Sequence, residues 1–166
     1  PVISSDNEEP TNQDVNINIQ YDEDSFYKKY KIDNGEWLEY TGTFLMKHSG
    51  TIYAYGLDRA GNQSEIVEYI INNIDKENLD NVSIIPNKTS PTNKNVQITL
   101  TSEIKDIDAL YYSINDGEFV KYTKPFHMEK NGIVKAYSVD KVGNMSEVVE
   151  YQVSNIDKVA PDAPET

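Results

Sequence analysis

The chain has 166 residues, no Cys and a formal net charge of -13. The missing Cys excludes a disulfide framework, a thiol nucleophile and thiolate ligands for zinc. The acidic balance, with Arg59 as the sole Arg, argues against a nucleic-acid or anionic-membrane partner, because counterion release needs clustered Lys and Arg.

Val2-Ile3 is expected to open the fold as a short edge strand, followed by a polar break at Glu8-Glu9-Pro10-Thr11-Asn12. Val15, Ile17, Ile19 and Tyr21 then alternate with Asn16, Asn18 and Gln20. Strict period-two alternation describes an antiparallel strand with one buried and one wet face. After an acidic loop at Asp22-Glu23-Asp24, the segment Tyr27 to Ile32 leads into Asn34-Gly35. That dipeptide suits a two-residue hairpin, since both positions tolerate positive φ. Beyond it Leu38 and Tyr40 share one parity and Glu39 takes the other, which predicts Leu38 and Tyr40 on the core side.

Ile52 to Asp58 is apolar on both parities. The small side, Ile52, Ala54 and Gly56, is expected to pack closely on a facing sheet, with Tyr53 and Tyr55 toward solvent. A turn at Asp58-Arg59-Ala60-Gly61-Asn62 follows, then a closing strand from Ser64 to Ile71, rich in β-branched residues. No segment carries a helical period. No apolar run approaches the ~20 residues of a membrane helix, and the first residues lack the regions of a secretory signal, so the chain is expected to be an excised fragment without membrane insertion.

The series then repeats. Val82 to Ile85 matches the opening strand, and Val96, Ile98 and Leu100 match the alternating one. Asp116-Gly117, Val120 and Tyr122 opposite Lys121, Asp140 to Asn144, Ser146 to Val153 and Asn155-Ile156-Asp157-Lys158 fall into register with the first copy, and Lys135 stands where Tyr53 does. Self-similarity at a fixed period signals tandem modules. It predicts an all-β chain with module 1 at residues 1–76 and module 2 at residues 77–158, each a sandwich of about seven short strands. Residues 159–166 match the connector between the copies and are expected to begin a link to a following module.

The Asp58 to Glu65 segment, its counterpart Asp140 to Glu147 and the Asn-Ile-Asp-Lys ends resemble the bacterial immunoglobulin-like repeat modules of large surface and secreted proteins of Gram-positive bacteria. The resemblance covers nearly the whole chain. It implies two tandem immunoglobulin-like β-sandwiches, extracellular, secreted or cell-wall associated, with neighbouring modules of the same polypeptide as partners. It further implies a non-catalytic spacer or stalk. The alternative is an adhesive or carbohydrate- or protein-binding accessory module, with a host glycan or matrix protein as partner.

Several residues invite a chemical reading. Asp58 to Asn62 and Asp140 to Asn144 carry the oxygens calcium prefers, but each loop has too few acidic ligands for a site of its own; an Asp bonding backbone N–H groups beside a Gly at positive φ accounts for Asp58, Gly61, Asn62, Asp140, Gly143 and Asn144. His48 and His127 occupy non-equivalent positions and fall in no metal or nucleophile motif. No nucleophile-elbow pattern occurs, so no enzyme is expected. Trp37 and its counterpart Phe119 lie on the wet parity, where they either cover the sheet edge or offer rings to a ligand. Asp75, Glu77 and Asp80 crowd the connector, and calcium bridging there competes with a solvated acidic linker. Lys-Asn crosslinks, known in some surface modules of this type, need a buried Lys, Asn and acid together, and no such trio can be placed in the sequence.

Overall fold

The computed structural model describes residues 1–165 and divides into two compact units, Pro1–Lys76 and the remainder from Glu77. Residue 166, in the expected final connector, lies outside the described residues. Every regular element among the described residues is a strand.

Module 1 has seven strands: β1 (Val2–Ser5), β2 (Val15–Gln20), β3 (Tyr27–Ile32), β4 (Leu38–Glu39), β5 (Phe44–Met46), β6 (Gly50–Leu57) and β7 (Val67–Ile71). They form one sheet in the order β1-β2-β5 and another in the order β4-β3-β6-β7, every pair antiparallel. In a constant-type immunoglobulin domain the fourth strand joins the first sheet; here β4 pairs with β3 instead. The alternation in β2 sends Val15, Ile17 and Ile19 inward, where they meet Ile52 and Ala54 of β6, Met46 and Ile71 in one buried cluster. Tyr30, Tyr40 and Phe44 close its edge, with Tyr30 and Phe44 stacked at 4.4 Å.

Module 2 repeats this with β8 (Ser83–Pro86), β9 (Val96–Thr101), β10 (Ile107–Ile114), β11 (Val120–Lys121), β12 (Phe126–Met128), β13 (Gly132–Asp140) and β14 (Val149–Val153). The sheets are β12-β9-β8 and β11-β10-β13-β14. Its core gathers Val96, Ile98, Leu100, Met128, Val134, Ala136 and Val153. Both units are thus immunoglobulin-like β-sandwiches, each around its own core. One register shift, between Ile107 and Ala109 on β10, has no counterpart in module 1.

Three expectations need correction. The Asn34-Gly35 hairpin is not a two-residue turn: β3 and β4 are joined by residues 33–37, and the positive φ falls at Asp33 (51°). In module 2 it falls at Asn115 (52°) and Asp116 (58°). Gly35 and Gly117 instead close the turns, donating their N–H groups to the carbonyls of Ile32 (2.9 Å) and Ile114 (3.0 Å). Leu38 and Val120 do not reach the core. They sit opposite the core-facing Tyr30 and Tyr112, so their parity is as expected, but β4 and β11 are short edge strands and leave them 49% and 47% exposed. Finally, the closing strands begin at Val67 and Val149, with Ser64 and Ser146 outside them.

Candidate functional site

The turn after β6 is built around Asp58. Its two carboxylate oxygens each accept one bond, from the Asn62 backbone N–H and from Asn62 Nδ2, both at 2.8 Å, while Gly61 takes φ 89°. These bonds to Asn62 hold the Asp58 carboxyl below its ordinary range. Asp140 accepts the same pair of bonds from Asn144, from its backbone N–H at 2.8 Å and its Nδ2 at 2.9 Å, and adds the Val142 N–H at 3.1 Å, with Gly143 at φ 94°. Carboxylates engaged this way stabilise a turn.

The β3–β4 turn has a similar device. Asp33 exchanges bonds with Thr51, its N–H to the Thr51 carbonyl and its Oδ1 from the Thr51 N–H, both 2.8 Å. Asn115 treats Ile133 identically, at 2.8 and 2.9 Å. These side chains lie against Gly50 and Gly132, where a Cβ would meet Asp33 Oδ1 at 2.9 Å and Asn115 Oδ1 at 2.5 Å. A side chain at either Gly would have to push that carboxylate or amide aside, so close approach, not a positive φ, favours Gly at both positions.

The Asn-Ile-Asp-Lys ends, noted in the sequence only as markers of the repeat, prove to be clasps. Asn73 Nδ2 donates to the carbonyls of Asn7 and Glu9, both at 2.9 Å. Ile74 forms a parallel bridge with Thr11, through Thr11 N–H to the Asn73 carbonyl (2.9 Å) and Asp75 N–H to the Thr11 carbonyl (2.8 Å). Ser49 Oγ binds both backbone groups of Ile74, and Lys76 pairs with Asp14. In module 2, Asn155 Nδ2 reaches the carbonyls of Lys88 and Ser90, Ile156 bridges Thr92, and the Asn131 side-chain amide replaces Ser49. Lys158 Nζ meets Asn95 Oδ1 at 2.7 Å, both residues exposed, which is not the buried trio a crosslink needs.

The outer face of the four-stranded sheet carries the aromatics. Trp37 packs edge-on to Tyr55 at 4.6 Å, and Lys31 Nζ lies over the rings of Trp37 (5.2 Å) and Tyr53 (5.0 Å). Beside them Lys29 pairs with Glu39 at 2.7 Å, which raises the Lys29 pKa and lowers that of Glu39. In module 2, Phe119, 40% exposed, packs edge-on to Tyr137, which stacks on Tyr111 at 5.3 Å. Lys135, in the place of Tyr53, pairs with Asp116.

The connector carboxylates Asp75, Glu77 and Asp80 are exposed. Among the described residues no group of three or more His, Asp or Glu is placed to hold a metal ion, these three included. His48 Nδ1 lies 3.0 Å from the Ser49 carbonyl and His127 sits on β12 opposite Gln97. Among the described residues no helix is long and apolar enough to cross a membrane.

No family model matches the chain, and no curated protein matches it. Among solved structures it is similar to the fibronectin(III)-like modules of Clostridium thermocellum CbhA, at 9% identity and a TM-score of 0.39, covering 99% of this chain and 100% of that one.

Proposed function

We propose that the chain is a pair of non-catalytic spacer modules within a larger extracellular protein of bacterial type, secreted or attached to a cell wall. The observation that carries this reading is the parallel bridge of Thr11 to Ile74, repeated as Thr92 to Ile156. Two parallel segments, one near each end of a module, are drawn in opposite directions along a shared axis when the ends are pulled. The bonds between them then bear load together in shear, as a stalk under tension requires. The Asn73 and Asn155 amides add two bonds each across the same joint. Single-molecule pulling tests it: Asn73→Ala and Asn155→Ala should each lower the unfolding force of one module, and unchanged forces would remove the clasp from the account.

The reading assigns no catalytic residue and no cofactor. Calcium at Asp75, Glu77 and Asp80 is a separate proposal, supported only by their charge, and a melting temperature unmoved by millimolar calcium against chelator would dismiss it. The adhesive alternative would use Trp37 and Phe119. In module 1 an incoming sugar must displace Lys31 from the rings it already covers. Saturable binding on a glycan or matrix-protein array, lost in Trp37→Ala, would favour that alternative.

A further inference from the structure

The segment before β8 is part of module 2. Leu79 is 8% exposed and forms a parallel bridge with Ser146, itself 7% exposed; three residues on, Val82 joins the core. Ser146 stands on a fixed frame: its Oγ accepts the Ser138 N–H at 2.9 Å and its own N–H goes to the Ser138 carbonyl at 3.0 Å. Module 1 has the same frame at Ser64, whose Oγ accepts the Gly56 N–H at 3.0 Å and whose N–H reaches the Gly56 carbonyl at 2.9 Å. Yet no residue of module 1 bridges Ser64, which is half-buried rather than buried. A cavity of about 210 Å³ opens there, lined in part by Asp22, Asp24, Gly56, Asp58, Asn62 and Ser64.

The register of β1 with β2 and of β8 with β9 makes Ile3 the counterpart of Ile84, and hence Pro1 that of Val82. Pro1 N lies 3.8 Å from Asp22 Oδ2, at the rim of the cavity. Three residues of extended chain reach at most ~10 Å, and three residues are what carry the chain from Val82 back to Leu79.

We propose that the cavity at Ser64 is a docking slot for an extended peptide segment joined directly to Pro1, with an apolar side chain at the third position before it. The segment pairs its backbone with Ser64 at the cavity as Leu79, whose side chain is buried, pairs with Ser146. The slot is a property of module 1 and stands whether or not the chain serves as a spacer.

The test adds Glu-Asn-Leu-Asp-Asn, the sequence of residues 77–81, ahead of Pro1. The extended chain should raise the melting temperature of module 1 by roughly 4–8 °C and slow amide exchange at residues 63–65. The same extension with Asp in place of Leu should do neither. Leu79→Ala should lower the module 2 transition and leave module 1 unchanged. Equal melting and exchange with both extensions would overturn the proposal. So would concentration-dependent dimers of the unextended chain in sedimentation that vanish on extension with either sequence, since the slot would then belong to a second copy.

Discussion

Where module 1 has Gly56, module 2 has Ser138, and the same gap is filled from opposite sides. A Cβ at Gly56 would collide with Ser25 Oγ, so in module 1 the loop before β3 supplies the filling atoms. In module 2 the strand itself supplies them, and the Ser138 hydroxyl ends fully buried with no hydrogen-bond partner among the described residues. The same exchange recurs elsewhere: Asp33 for Asn115 against a Gly, Ser49 for Asn131 on an Ile backbone, and an Asp14–Lys76 ion pair for an Asn95–Lys158 hydrogen bond. What the two copies hold in common is the position of each contact, to a backbone group at Ile74 and Ile156 or at Thr51 and Ile133 and to a Lys at the module end, while the side chain that makes it is interchangeable.

If the modules are as separate as their cores, Ile17→Ala should weaken module 1 and Ile98→Ala module 2, each by ~2–5 kcal/mol, because both side chains are fully buried. Calorimetry should show one transition falling in each variant; both falling together would mean one cooperative unit. Gly61→Val and Gly143→Val test a shared feature and should each cost the host module ~1–3 kcal/mol, since a β-branched residue strains at φ near 90°.

The sharpest contrast concerns the filled gap. Gly56→Ala should destabilise module 1 by forcing Ser25 aside, by ~1 kcal/mol or more. Ser138→Ala should leave module 2 unchanged or raise its stability by ~1 kcal/mol, as it removes a buried hydroxyl without a partner. Denaturant midpoints of the two variants moving the same way would break the comparison.

The smallest effect is acid sensitivity. Asp58 and Glu39 have pKa values lowered by Asn62 and Lys29 respectively. A carboxylate depressed in the folded state contributes stability that is present above its unfolded value of ~4 and lost as pH falls through the lower folded value. The module 1 transition should therefore fall slightly as pH drops below about 4, and Glu39→Gln should lessen that fall.

Much of the frame was legible in the sequence because period two is a local signal. Along β6 both parities are apolar, and the burial of Ile52, Ala54 and Gly56 beneath the outward Tyr53 and Tyr55 was legible only because Lys135 stands in the place of Tyr53 in the second copy. The β3–β4 turn was misplaced because the preference of Asn-Gly for positive φ is a statement about isolated hairpins, whereas the bond between Asp33 and Thr51 sets the left-handed residue here. That bond joins residues 18 positions apart. Leu38 shows the limit of parity, which gives the face of a strand but not whether the opposite sheet extends far enough to cover it. The clasps were invisible for the same reason as the turn. Asn73 and Asn7 stand 66 residues apart, and only their recurrence in both copies marked them as worth explaining.

The register shift at Ile107 and Ala109 bears on how such a chain tolerates change in length. Before it the copies run 81 residues apart, as Ile17 and Ile98 do, and after it 82, as Ala54 and Ala136 do. One added residue has thus been absorbed at Asp108, within the first residues of β10, while the inward residues of β9 and β10 keep their places in the core. The start of β10, at residues 107–109, is therefore where this fold takes up a change in chain length, and a single further residue inserted there should bulge outward and leave the module 2 core intact.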